Sequence, residues 1–210
     1  MRLRGSLAGV IAIVVLCCAA AAMARQAAAP RPADWRVRPD ATDADQTAIS
    51  FADMRPGWHI TTTPAVVLYR DHLGASGDFT IESELFLFPK APGPVGVIAG
   101  AAGLAGRTPR WVALLVRGDG QFAIEERTGD RTRSIAAWAA ASSIARPSDN
   151  PARNVLRVRA IADEIVFEIN DVKVAAEPRA ALPIDGLIGL RAGPDANIHV
   201  TTLSVRLGGK

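Results

Sequence analysis

Between Phe79 and Phe88 the chain changes character at every residue. Phe79, Ile81, Ser83, Leu85 and Leu87 alternate with Thr80, Glu82, Glu84, Phe86 and Phe88. A period of two belongs to a β-strand, in which successive side chains point to opposite faces. From about Ile49 onward, turn clusters such as Pro92-Gly93-Pro94, Gly118-Asp119-Gly120 and Pro194-Asp195 separate further short runs. Short strands divided by such turns predict an all-β sandwich rather than a parallel α/β sheet. One stretch departs from this. Ser134 to Ala145 is alanine-rich and reads as a strand followed by an irregular or one-turn segment.

Two hairpins can be registered from the residues. Trp111–Arg117 runs into Gln121–Arg127 through Gly118-Asp119-Gly120, a three-residue loop with Gly120 in the left-handed region. This sets Val116 opposite Phe122 and Leu114 opposite Ile124, and sends Trp111, Leu115, Arg117, Glu125 and Arg127 to the other face. A second unit is a three-stranded meander. Leu156 faces Ile169, Val158 faces Phe167 and Arg157 faces Glu168, with turns at Ala162-Asp163 and Asn170-Asp171. The third strand then sets Phe167 against Val174 and Glu168 against Lys173. Core meets core and charge meets opposite charge, so two criteria agree on one register.

The N-terminal region has a different character. Arg2 and Arg4 precede an uncharged, mostly apolar run from Ser6 to Ala22, and Ala22-Met23-Ala24 offers small residues for a signal peptidase. Residues 1–24 are read as a signal peptide, with a retained membrane anchor as the competing reading. The expected location is therefore periplasmic or secreted, in a bacterium, with no stable membrane span after cleavage. Residues 25–46, rich in Ala, Pro and Arg, read as a tether, and 47–208 as the sandwich.

Removing the signal takes 24 basic residues to 22 against 21 acidic ones. Such balance, with three lysines (Lys90, Lys173, Lys210) forming no stripe, argues against a nucleic-acid partner. Both cysteines, Cys17 and Cys18, leave with the signal, so neither disulfides nor a thiolate metal site is expected.

At this level the motifs resemble a known superfamily. They are Gly118-Asp-Gly-Gln-Phe, Trp138, Asn154-Val-Leu-Arg-Val-Arg-Ala, Ile165-Val-Phe-Glu-Ile-Asn and Gly186-Leu-Ile-Gly-Leu-Arg. Together they are similar to the concanavalin A-like lectin/glucanase superfamily, and within it to bacterial secreted laminin G-like and 3-keto-disaccharide hydrolase-like domains. The resemblance runs from about Phe51 to Leu207. It implies a jelly-roll sandwich of two curved antiparallel sheets, whose concave face often binds glycans. Its motifs are hairpin and core residues, so they speak to fold rather than function.

For chemistry, Glu82 and Glu84 lie two apart on one strand and share a face. The superfamily's glucanases use Glu-x-Asp-x-x-Glu. Here the strand reads Glu82-Ser-Glu84-Leu-Phe-Leu, without the final acid, which weighs against an enzyme. Glu82, Glu84 and His59 are the acid–base candidates, against a reading as solvated outer-face residues. Trp58, expected with His59 on the first strand of the sandwich, is either a sugar platform or a core residue, and the core reading is favoured. Trp111, with Arg117 and Glu125, is the candidate ligand-binding group.

His72 and His199 are isolated in the sequence, so no transition-metal site is expected. No cofactor is expected, and calcium stays open through the loop residues Asp71, Asp78, Asp149 and Asn150. The leading expectation is an exported module binding a carbohydrate or glycoconjugate without catalysis. The alternatives are a glycoside-active enzyme and a structural or interaction domain of the envelope.

Overall fold

The computed structural model describes residues 31–208, so residues 1–24, the start of the tether and the last two residues lie outside it. The first half of the described chain contributes β1 (Arg36–Pro39), β2 (Ile49–Asp53), β3 (Trp58–Thr62), β4 (Val66–Ala75), β5 (Phe79–Leu87), β6 (Val95–Ala102) and β7 (Arg110–Val116). The second half contributes β8 (Gln121–Thr128), β9 (Arg131–Ala140), β10 (Ala152–Ile161), β11 (Glu164–Ile169), β12 (Val172–Pro178), β13 (Gly186–Ala192) and β14 (Ala196–Leu207). These form two seven-stranded sheets. The first has the order β1-β4-β13-β6-β7-β8-β9 and the second β12-β11-β10-β5-β14-β3-β2, with every neighbouring pair antiparallel. This is the sandwich that alternation and turn spacing predict, in the jelly-roll form that the resemblance implies.

The alternating strand β5 lies in the middle of the second sheet. Its Phe79, Ile81, Leu85 and Leu87 enter the core between the sheets, where Phe167, Ile169 and Leu156 meet Leu68, Leu114 and Ile124. The β7–β8 hairpin has the predicted register, Val116 against Phe122 and Leu114 against Ile124, with Gly120 at φ +85°. In the meander, Leu156–Ile169, Val158–Phe167 and Glu168–Lys173 pair as expected. Asn170 and Asp171 both adopt positive φ, at 52° and 66°.

Three expectations are corrected. Phe167 pairs with Ala175 rather than Val174, because a bulge between Phe167 and Glu168 places one extra residue on β12. The tether is shorter than 25–46. Trp35 is 4% exposed, and Arg36–Pro39 adds β1 to the edge of β4, so the sandwich begins before residue 47. Finally, Trp58 and His59 lie on the third strand and not the first. Trp58 packs against the core, edge-on to Phe51 with centroids 6.5 Å apart.

The segment after β9 is irregular, as expected. Asn154 on β10, fully buried, holds it down: its Oδ1 accepts from the Ala145 amide at 2.9 Å and its Nδ2 donates to the Ala145 carbonyl at 3.0 Å. Asn170 completes the clasp, donating to Asn154 Oδ1 at 2.9 Å and to the Ser143 carbonyl at 2.7 Å.

Candidate functional site

Three surfaces hold the residues with chemistry: the outer face of each sheet and a cleft at one end of the sandwich.

The outer face of the first sheet carries Trp111. On β7, Val112, Leu114 and Val116 enter the main core, while Trp111, Ala113 and Leu115 join a second apolar cluster with Val67, Tyr69, Ile98, Ala101 and Leu104. That cluster is closed. Trp111 is 4% exposed and Ile98 fully buried. Among the described residues, Leu104 from the β6–β7 loop joins this cover, and Arg38 donates to the Leu104 carbonyl at 3.3 Å. Arg191, held by Asp40 through two bonds of 2.8 and 2.6 Å, places its guanidinium 5.7 Å from the Trp111 ring centre. Trp111 thus lies on the predicted face, but its ring is packed rather than open to a sugar.

Arg117 is not brought to Glu125. Its guanidinium stacks 4.1 Å from the Trp138 ring centre, donates to Gln121 and pairs with Asp119 at 3.3 Å. Glu125 stays on the outer face of β8, in register with Ala113 and Ser134.

The acid–base candidates sit on the outer face of the second sheet. Glu82 and Glu84 share that face as predicted, and arginines from β10 claim both. Arg157 bridges Glu82 and Asp171, while Arg153 grips Glu84 at 2.5–2.8 Å. Thr201 also donates to Glu84, at 2.9 Å. The Arg153 hydrogen bond holds the Glu84 carboxyl below its ordinary pKa, with lesser help from Thr201 and against some burial. A carboxylate kept ionised in this way is a poor general acid.

The sign of its pH dependence follows. Because the folded pKa is depressed, this contribution to stability is present above the ordinary value of 4.5 and is lost as pH falls through the folded pKa. Arg153 is exposed and Glu84 partly so, and Arg153→Ala is expected to cost less than about 1 kcal/mol at neutral pH. It should also flatten the acid limb below pH 4.5, as read by urea unfolding at a series of pH values. An unchanged acid limb would show that Glu84 does not set it.

His59 is half-buried, and burial first, then the neighbouring His199, lowers its pKa from 6.5. The isolation of His199 in the sequence does not survive folding, since it is the direct Cα partner of His59 across β3 and β14.

The third surface is a cleft of about 570 Å³ at the sandwich rim, built by three connections. Phe88, Pro89, Lys90, Ala91 and Pro92 come from the β5–β6 loop. Arg117, Gly118 and Asp119 come from the β7–β8 turn, and Pro147 and Ser148 from the segment clasped by Asn154. Lys90, at φ +61°, and Asp119 are exposed, and the prolines and Phe88 supply apolar wall. Of the predicted residues only Arg117 belongs here. The others come from turns and a loop, which sequence reading treats as punctuation.

Of the calcium candidates, Asp71 pairs with Arg36 at 2.8 Å, and Asp78 binds Arg179 and the Ala162 amide. Among the described residues no group of three or more His, Cys, Asp and Glu is placed to hold a metal ion, and no helix is long and apolar enough to cross a membrane.

No family model and no curated protein matches this chain. Its solved structural neighbours are jelly-roll proteins. The carbohydrate binding module CBM66 from Bacillus subtilis superposes with a TM-score of 0.61 at 15% identity, covering 82% of this chain and 95% of the module. A Bacillus subtilis protein with a galectin-like fold gives 0.62 at 12%, covering 83% and 89%. A glycoside hydrolase family 16 endo-glucanase from Bacteroides ovatus gives 0.56 at 8%, covering 82% and 94%. Identities this low establish the shared galectin-like, concanavalin A-like fold, which hosts both glycan-binding and glycan-active proteins.

Proposed function

We propose that this chain is an exported β-sandwich module that binds a carbohydrate or glycoconjugate without catalysis, and that the rim cleft is its site. The observation that carries the reading is the lining of the cleft. Phe88 and three prolines offer apolar wall to the C–H face of a sugar, while Lys90, Asp119 and backbone groups can meet its hydroxyls. The volume suits one or two sugar rings, and the loops that form it are fixed by the scaffold below. The arginine clamps on Glu82 and Glu84 support binding over hydrolysis, because each carboxylate is engaged by a guanidinium rather than presented to a substrate. Export is supported by the Arg2/Arg4, apolar-run and Ala22-Met-Ala24 pattern.

Affinity electrophoresis in gels containing a soluble glucan or alginate, followed by a glycan array, tests this. We expect retardation or array binding without release of free sugar. Asp119→Ala and Lys90→Ala should each weaken it about tenfold, the loss of one or two hydrogen bonds to a polar ligand. Binding unaffected by both substitutions would move the site elsewhere. Sugar release abolished by Glu84→Gln would replace this reading with a glycoside-active enzyme of the 3-keto-disaccharide hydrolase type.

A further inference from the structure

Folding builds a histidine pair that the sequence separates widely. His59 on β3 and His199 on β14 are direct partners, and Phe86 on β5 is the next partner of His199 along the same row. His199 is 7% exposed. The Nδ1 atoms of both rings are buried without a hydrogen-bond partner, as is Oδ1 of Asn197, two residues before His199 on the same face. The His59 ring stands perpendicular to Phe88 with centroids 4.8 Å apart, and His199 tilts against Phe86 at 5.8 Å. Phe88 is also a wall of the rim cleft.

We propose that His59, backed by the buried His199, is a proton-sensitive positioning residue that holds Phe88, and with it the β5–β6 loop, in the arrangement that shapes the cleft. As neutral rings they need no counter-charge. An imidazolium here would have a buried N–H that water does not reach, facing a second imidazole. The charged groups facing the pair are Glu84 on β5 and Arg153 on β10. Glu84 is already committed to Arg153 and Thr201, and β2 presents only Ala52 opposite His59. Among the described residues Glu84 is the carboxylate that feels His199, and its hydrogen bonds go to Arg153 and Thr201 rather than to either imidazole.

The packed arrangement therefore takes up a proton less readily than one in which the ring has swung into water. Acidification below the ordinary histidine value of 6.5 shifts the population toward the swung-out state and releases Phe88. Only the consequence for a ligand rests on the rim-cleft reading. The structural coupling does not.

The test is an NMR titration of the full chain from pH 8 to 4.5, with no ligand added. The readouts are the His59 imidazole signals and the backbone amides of Lys90 and Ala91. The expected result is a His59 midpoint below 6.5 with the two loop amides moving at the same midpoint. In Phe88→Leu, His59 should still titrate while the loop amides no longer follow, and in His59→Gln the loop response should vanish. Loop amides that ignore the His59 midpoint, or that still follow it in Phe88→Leu, would overturn the proposal. Glycan retardation that stays constant through the His59 midpoint found by NMR would overturn its consequence for binding while leaving the cleft as a binding site. Absence of any glycan binding, with the amide coupling present, would overturn the rim-cleft reading while leaving the structural coupling.

Discussion

Trp111→Ala is expected to lower the stability of the domain by about 3–5 kcal/mol, the range for truncating a large buried aromatic side chain. The ring is 4% exposed and packed in the cluster of Tyr69, Ile98 and Leu104, so its removal opens a cavity under the β6–β7 loop. Tyr69 and Ile98 are strand residues fixed by their backbones, which limits collapse into the space. Arg191 loses the ring beneath its guanidinium but keeps both bonds to Asp40, so the cover over the face survives in part. Urea unfolding followed by circular dichroism measures the loss. Glycan retardation of the folded variant should match that of the parent chain, since Trp111 does not line the cleft. A variant that unfolds like the parent yet fails to bind would make this face the sugar platform after all.

What was legible in the sequence follows from how locally each feature is encoded. The β7–β8 and β10–β11 hairpins close over a few residues, and their turn chemistry and cross-strand pairs agree, so the registers come out correctly. The β11–β12 register slips by one at Phe167 because a bulge leaves no mark on composition. Alternation places Trp111 on the right face but in the wrong environment. The run Trp111-Val-Ala-Leu-Leu-Val116 is apolar at successive positions, as in a strand buried on both faces, and that signal outweighs alternation with Arg117.

Long-range partners are the part that no local pattern holds. The arginines on Glu82 and Glu84 come from β10, and His199 reaches His59 only because β14 inserts between β3 and β5. β1 was hidden because Trp35-Arg-Val-Arg is a four-residue alternation flanked by prolines and acids, too short to separate from a tether. The cleft drew residues from three connections, and one clue was available: Lys90 is one of three lysines in an arginine-dominated chain and sits in a proline-rich loop.

Asn154→Ala is expected to cost about 2–4 kcal/mol, because it leaves several buried polar groups without partners at once. The Ala145 amide loses its acceptor, the Ala145 carbonyl loses a donor, and Asn170 loses one of its two acceptors. Equilibrium urea unfolding measures the cost, and faster exchange of the Ala145 amide locates it. The effect reaches function through Pro147 and Ser148, which the clasped segment presents to the cleft. Glycan retardation should therefore weaken even in conditions where the domain stays folded.

Asn154→Asp separates the hydrogen-bond argument from simple loss of volume. Its carboxylate can still accept from the Ala145 amide but faces the carbonyls of Ala145 and Ala152, to which Nδ2 now donates. Burial among acceptors raises the pKa of such an acid above its unfolded value. The folded state then binds the proton more tightly than the unfolded one, so stability rises as pH falls through the raised pKa. The Asp variant should recover part of its loss toward pH 4, whereas the Ala variant should not. Parallel pH dependence in the two variants would remove the clasp as the reason this loop, and the cleft wall it carries, is held in place.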